Sequence, residues 1–242
     1  MGHLLLIELR LLLRKRITAF SVVVVPVGLT AMTLFGGARP ADPAEWGRML
    51  ASNVLLLSML STYLVSLTVF TARRQSLVLK RLRTSSLSDP AIFAGVVGPV
   101  VLVGFAQVAV YLVFCVAVGA PAPVAPGFLV AGVVLCVAVA TALGVATACL
   151  SRSVEATQVT GAPVVMAAVA GIFLTASDST AAVVSGLALP LTGPVDLVAR
   201  GWSAGLVLAD VPVVPLDLAA TLLWLVIAGV VVSRAFRWEP RS

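Results

Sequence analysis

The chain has 242 residues, 60% of them hydrophobic and only 11% charged, and its mean hydropathy is +1.13. Soluble domains carry roughly a quarter charged residues, so this composition excludes a water-soluble globular protein. It points to an all-α polytopic membrane protein, because uncharged apolar runs of about 18 residues or more read as spanning helices. The net charge of +6 does not call for nucleic acid as a partner, since the cations gather in a few loops, as they do on the cytoplasmic face of membrane proteins.

Residues 4–16, L-L-L-I-E-L-R-L-L-L-R-K-R, are too short and too charged at their end to span. On a helical wheel Leu5, Leu6, Leu9, Leu12 and Leu13 form an apolar face, with His3, Glu8, Arg10, Arg14 and Lys15 on the other side. That pattern predicts an N-terminal amphipathic helix lying in the membrane interface. A signal peptide is the competing reading, with Gly36-Gly37-Ala38 resembling a cleavage site. The apolar run is too long for a signal core, so an uncleaved first span is expected.

Six spans are predicted, at residues 17–35, 50–72, 91–118, 127–150, 157–176 and 216–233, within a single transmembrane domain covering 1–242. The third is expected to be broken up by Gly95, Gly98, Pro99 and Gly104, and Pro121, Pro123 and Pro126 mark a tight uncharged turn. On the fourth, Gly132, Ala140, Gly144 and Ala148 put small residues at spacings that allow close helix approach, and packing within the bundle is their expected use. Between the fifth and sixth spans, 181–191 is apolar but only about half a span long, and Pro190, Pro194, Asp196 and Arg200 interrupt the apolar character from there on. One or two re-entrant or interfacial helices are expected over 181–209, enclosed by protein or lining a cavity.

Charge sets the expected orientation. With both termini cytoplasmic, segments 1–16, 73–90, 151–156 and 234–242 hold thirteen Lys and Arg against four acids, and the external segments hold three against six. The opposite topology inverts this bias and is rejected. Arg outnumbers Lys fourteen to two in a chain dominated by Ala, Val, Leu and Gly. That bias fits a GC-rich bacterial genome, so a bacterial plasma membrane is the expected location.

Catalytic chemistry finds little support. A single histidine, His3, excludes His-pair metal sites, and no G-x-x-x-x-G-K phosphate loop is present. The ten acids are scattered, and Cys115, Cys136 and Cys149 sit in apolar segments at no metal-ligand spacing. No cofactor or metal is therefore expected. Glu155 and Asp217 fall near span ends, and Asn53, Gln107 and Gln158 are neutral residues of the kind that serve helix packing. The chain lacks an evident energy source of its own.

The polar stretch 73–90, R-R-Q-S-L-V-L-K-R-L-R-T-S-S-L-S-D-P, stands apart from the other loops. It carries helix-forming residues, with five cations (Arg73, Arg74, Lys80, Arg81 and Arg83) against one acid, Asp89. Read as a helix, it places Lys80, Arg83 and Thr84 on one side and Leu79 and Leu82 on another. A short helix of this kind between two spans is either a docking element or a membrane-surface element.

The stretch from Arg73 to Gly95 resembles the cytoplasmic segment between spans two and three of type-2 permeases of ATP-binding-cassette transporters. Members read like R-E-x-G-T-L-E-R-L-R-x-T-P-L-S followed by x-x-x-I-L-x-G, and Leu79, Arg81, Leu82, Arg83, Leu87, Ser88, Ile92 and Gly95 fall on that pattern. Actinobacterial drug- and antibiotic-export permeases look similar in having a basic version of it. The stretch L-P-L-T-G-P-V-D-L-V-A-R-G-W, 189–202, resembles the family's N-P-L-T-x-x-V-D-A-L-R after span five. The sequence departs from the pattern where Arg or Gln at 73–75 replaces an acid, where a larger residue near Leu77 replaces Gly, and where Ser86 replaces Pro.

The resemblance implies a coupling helix over 75–88, with Gln75, Leu79, Lys80, Arg81, Leu82, Arg83, Leu87 and Ser88 meeting an ATPase subunit. It further implies a second permease chain, identical or similar, in the lipid bilayer, and export of an amphipathic small molecule or a lipid. On this reading the chain itself is not an enzyme. A membrane-embedded lipid-modifying enzyme and a non-transporting scaffold or immunity protein are the alternative readings.

Overall fold

The computed structural model describes residues 24–25, 27–32, 40–77, 89–202, 205–208 and 211–236. The expected interfacial helix at 4–16 lies outside the described residues, and of the expected first span only 24–25 and 27–32 are described, as helix. Among the described residues there is no β-strand, only an isolated bridge between Leu208 and Val211. Five helices among the described residues are long and apolar enough to cross a membrane.

Helix α1 (Pro43–Leu57) is started by its own sequence. Asp42 caps it by accepting the Glu45 N–H at 2.8 Å, Pro43 fills the first turn, and the Glu45 carboxylate reaches back to the Ala41 N–H at 2.8 Å. A π-helical segment, Ser58–Tyr63, joins it without interruption to α2 (Leu64–Gln75). The continuous stretch of 33 residues is about 50 Å long at helical rise. It exceeds the expected span 50–72 at both ends, because the capped polar turn at its start carries helix beyond the apolar window.

Helix α3 (Asp89–Ala117) runs unbroken for 29 residues with Pro99 inside it. This corrects the expectation of a third span broken at its glycines and Pro99. In lipid an interrupted ladder has no water to satisfy it, so a helix bends around a proline more cheaply than it breaks. Gly104 also lets α3 approach Thr62, whose hydroxyl sits where a Cβ would stand. Gly119, at φ 106°, turns the chain after α3, and Pro126 opens α4 (Pro126–Leu150).

Helix α4 is the centre of the bundle, packed against α2, the π-helical segment, α3, α7 (Thr192–Trp202) and α8 (Val213–Ala235). Its small residues serve packing inside the chain, as expected. A Cβ on Gly144 would lie 2.6 Å from the Tyr63 carbonyl oxygen, and one on Gly132 would lie 2.7 Å from the Val198 nitrogen. Helices α5 (Thr157–Thr175) and α8 are covered far less and present large apolar side chains outward, among them Val159, Met166, Phe173, Leu222 and Val226. A bilayer solvates such faces.

Between α5 and α8 the chain forms two short helices, α6 (Thr180–Leu187) and α7, whose axes meet at 107°. With 8 and 11 residues, each is shorter than the roughly 20 residues of a crossing. Every residue of α7 except Arg200 is buried. Within the segment that sequence alone marks as irregular, α7 is thus folded into the protein, against α4 and α1.

Candidate functional site

The segment 73–90 is mounted at the end of the bundle where α2 finishes and α3 begins. Helix α2 closes with the Ser76 N–H donating to the Ala72 carbonyl at 3.0 Å and the Leu77 N–H donating to the Arg74 carbonyl at 3.1 Å. Leu77 takes up the left-handed backbone conformation, φ 57°, at the position after a helix where glycine is usual. The sequence places a large residue where the resembled pattern has Gly, and this is the backbone site concerned.

Gln75 is exposed, and its side-chain oxygen accepts the Val154 N–H at 3.4 Å, tying the end of α2 to the loop 151–156. Residues 78–88, with Leu79, Lys80, Arg81, Leu82, Arg83, Leu87 and Ser88, lie outside the described residues. Gln75 is the one member of the proposed coupling surface that is described.

Arg74 does something the sequence did not suggest. Counted among the loop's five cations, it is instead buried, and its guanidinium donates to the carbonyls of Cys149, at 3.4 Å, and Ser151. Those carbonyls close the C-terminal end of α4, where unsatisfied oxygens and the helix dipole both favour a cation. Nothing in the polar residues around Arg74 signals this, because its partners lie 75 and 77 residues away.

The loop 151–156 is internally braced. The Ser151 hydroxyl donates to the Thr147 carbonyl at 3.0 Å, the Ala156 N–H donates to the Ser153 hydroxyl at 3.2 Å, and the Thr157 hydroxyl donates to the Val154 carbonyl at 2.5 Å. Hydrogen bonding from Ser153 and from its own backbone N–H holds the Glu155 carboxyl below the usual carboxylate range. Inside this end, Phe70 of α2, Phe93 of α3 and Phe236 after α8 form a three-ring cluster with centroids 5.0 to 5.9 Å apart. The chain on either side of 78–88 is thereby packed onto the last span.

At the opposite end, Asp196 accepts from Arg200 at 2.9 Å and from the Leu206 N–H at 2.7 Å, and Arg200 also donates to the Leu206 carbonyl at 2.7 Å. Asp217, read from sequence as a span-end residue, lies fully buried in α8, and neither of its carboxylate oxygens has a hydrogen-bond partner among the described residues. Asn53 donates to the Tyr111 hydroxyl at 2.8 Å, a packing role as expected. Cys115, Cys136 and Cys149 are buried and form no disulfide, and no cluster of metal-ligating side chains occurs among the described residues.

No curated protein and no solved structure matches the chain. A family model described as ABC-2 family transporter protein matches residues 23–235, which takes in every helix from α1 to α8. With five long apolar helices among the described residues, α4 central among them, and that match along nearly its whole length, the chain belongs to the ABC-2 family of transporter proteins as a multi-pass membrane permease.

Proposed function

We propose that this protein is the membrane-spanning subunit of an ATP-binding-cassette exporter of the bacterial plasma membrane, working as a pair of permease chains with two separate ATPase subunits. The ATPases dock on the cytoplasmic segment 75–88, and their approach on binding ATP moves that segment and switches access to the pathway. The cargo is an amphipathic small molecule, such as a drug or antibiotic, or a lipid. What carries the reading is the mounting of 78–88. It connects α2 to α3, which meet the end of α8 through Phe70, Phe93 and Phe236, so a push on the segment bears on three helices at once. Family membership and the absence of a phosphate loop from the sequence support a separate ATPase.

The test separates docking from binding to anionic lipid. A docking helix needs Leu79 and Leu82 to fill a groove, where losing a buried leucine costs about 2 kcal/mol or more. A lipid patch depends on total charge, at about 1 kcal/mol per basic residue. Leu82→Asp is expected to detach the ATPase, or to uncouple transport from hydrolysis, while the permease still inserts. Replacing Lys80 and Arg81 by Gln has the milder effect. If Leu82→Asp leaves association and transport intact and the charge removal abolishes both, the docking assignment is wrong.

A further inference from the structure

At the end of the bundle remote from segment 73–90, α1, α5, α7 and residues 205–207 line an open cavity of about 380 Å³, within the size range of small-molecule sites. Its walls are apolar, from Ala51, Ile172, Val195 and Ala199, and Arg48 stands on its rim. Its depth is set by the helices that frame it. Arg48 is the sixth residue of α1, and Thr175, the last of α5, also lines the cavity. Arg48 therefore lies about 8 Å from its helix start, at the level where spanning helices meet the polar headgroup region.

The charges around the cavity are unequal in how they are held. Asp196, which also lines it, is already neutralised: one oxygen accepts from Arg200 at 2.9 Å and the other from the Leu206 N–H at 2.7 Å. Glu45, one turn before Arg48, is engaged with the Ala41 N–H at 2.8 Å. Arg48 itself is exposed and has no carboxylate partner among the described residues. The Thr192 hydroxyl, on a residue that lines the cavity, is buried and lacks a hydrogen-bond partner among the described residues. An ammonium-headed ligand would compete with Arg200 for Asp196 and meet its repulsion. An anionic head meets a free guanidinium, whose planar fork matches a phosphate.

We propose that this cavity binds a phosphate-headed amphiphile, with the head on Arg48 and the alkyl portion against Ala51, Ile172, Val195 and Ala199. The chemistry is shared by a bilayer phospholipid and by a single-chain phosphate amphiphile. Which of them occupies the site is for the probes to separate.

The test uses the purified full chain in a non-ionic detergent, with binding read by native mass spectrometry. The probes are dodecyl phosphate, dodecanol, inorganic phosphate and dioctanoyl phosphatidylglycerol. Dodecyl phosphate is expected to bind at one site, and dodecanol and inorganic phosphate to bind at least about tenfold more weakly, since each lacks half of the recognition. Arg48→Gln removes the charge. Ala176→Phe fills the cavity from an exposed position at the end of α5. Each is expected to weaken dodecyl phosphate by about tenfold, while Arg48→Lys keeps part of the affinity and shows that the fold survives change at that position. Competition by phosphatidylglycerol assigns the site to a bilayer lipid, and its failure to compete assigns it to a single-chain amphiphile. Equal binding of dodecanol and dodecyl phosphate, or unchanged binding in both Arg48→Gln and Ala176→Phe, overturns the proposal. Neither ATPase nor transport enters the readout, so that failure leaves the exporter reading untouched.

Discussion

Leu77 carries a backbone cost that its side chain does not offset. It is 39% exposed and sits at φ 57°, a conformation that costs an L-residue about 1–2 kcal/mol and glycine nothing comparable. Leu77→Gly is therefore expected to raise stability by about 1 kcal/mol, measured as a higher melting temperature in detergent. An unchanged or lower temperature would show that the leucine side chain contributes more than the strain costs. Arg74, three residues earlier, belongs to a different argument. A guanidinium buried against the carbonyls of Cys149 and Ser151 joins α2 to the end of α4, so it stiffens the base on which the 78–88 segment is carried.

Among the elements, α2 and α4 meet more closely than side chains allow. Gly144→Ala would press a methyl group to 2.6 Å from the Tyr63 carbonyl oxygen and 2.7 Å from Ser66 Cβ. The atoms met are backbone and a short side chain, neither of which can swing away, so a loss of about 1–3 kcal/mol is expected. Gly229, in α8, has nothing within 4 Å of a built Cβ. There Gly229→Ala is expected to be neutral or to stabilise by up to about 1 kcal/mol. Comparing the two melting temperatures tests whether the small residues of α4 serve packing within the chain, and equal shifts would contradict it. The π-helical segment Ser58–Tyr63 lies in the same seam. Its Ser61 hydroxyl bonds back to the Leu57 carbonyl, one way a helix accommodates a polar side chain in an apolar bundle.

For the molecule as a whole, the contact between Gln75 and Val154 puts loops 73–77 and 151–156 at one end, with Ala44 near the start of the 33-residue helical stretch that ends at Gln75. Cysteines introduced at Ser76 and Ser153 are expected to react with an impermeant thiol reagent only from the cytoplasm, and one at Ala44 only from outside, as the charge bias requires. The native cysteines are buried and contribute little background. Labelling of Ala44 from the cytoplasm would reverse the proposed orientation, and labelling of Ser76 and Ser153 from opposite sides would contradict the fold itself.

The sequence by itself determined that this is an all-helical chain with several long apolar helices able to cross a membrane. A backbone in lipid must satisfy its own hydrogen bonds, so the length of an apolar run dictates the length of the helix. It also marked Gly132 and Gly144 as packing positions, and 181–209 as irregular. The early start of α1 was readable too, in Asp42, Pro43 and Glu45, a local capping pattern that apolar windows pass over. Only the tertiary structure decided that Arg74 would cap α4, that Asp217 would be enclosed with no hydrogen-bond partner for its carboxylate among the described residues, and that α7 would be buried against α1 and α4. Each of these depends on residues distant in the chain brought together by packing, and neither local composition nor periodicity carries that information.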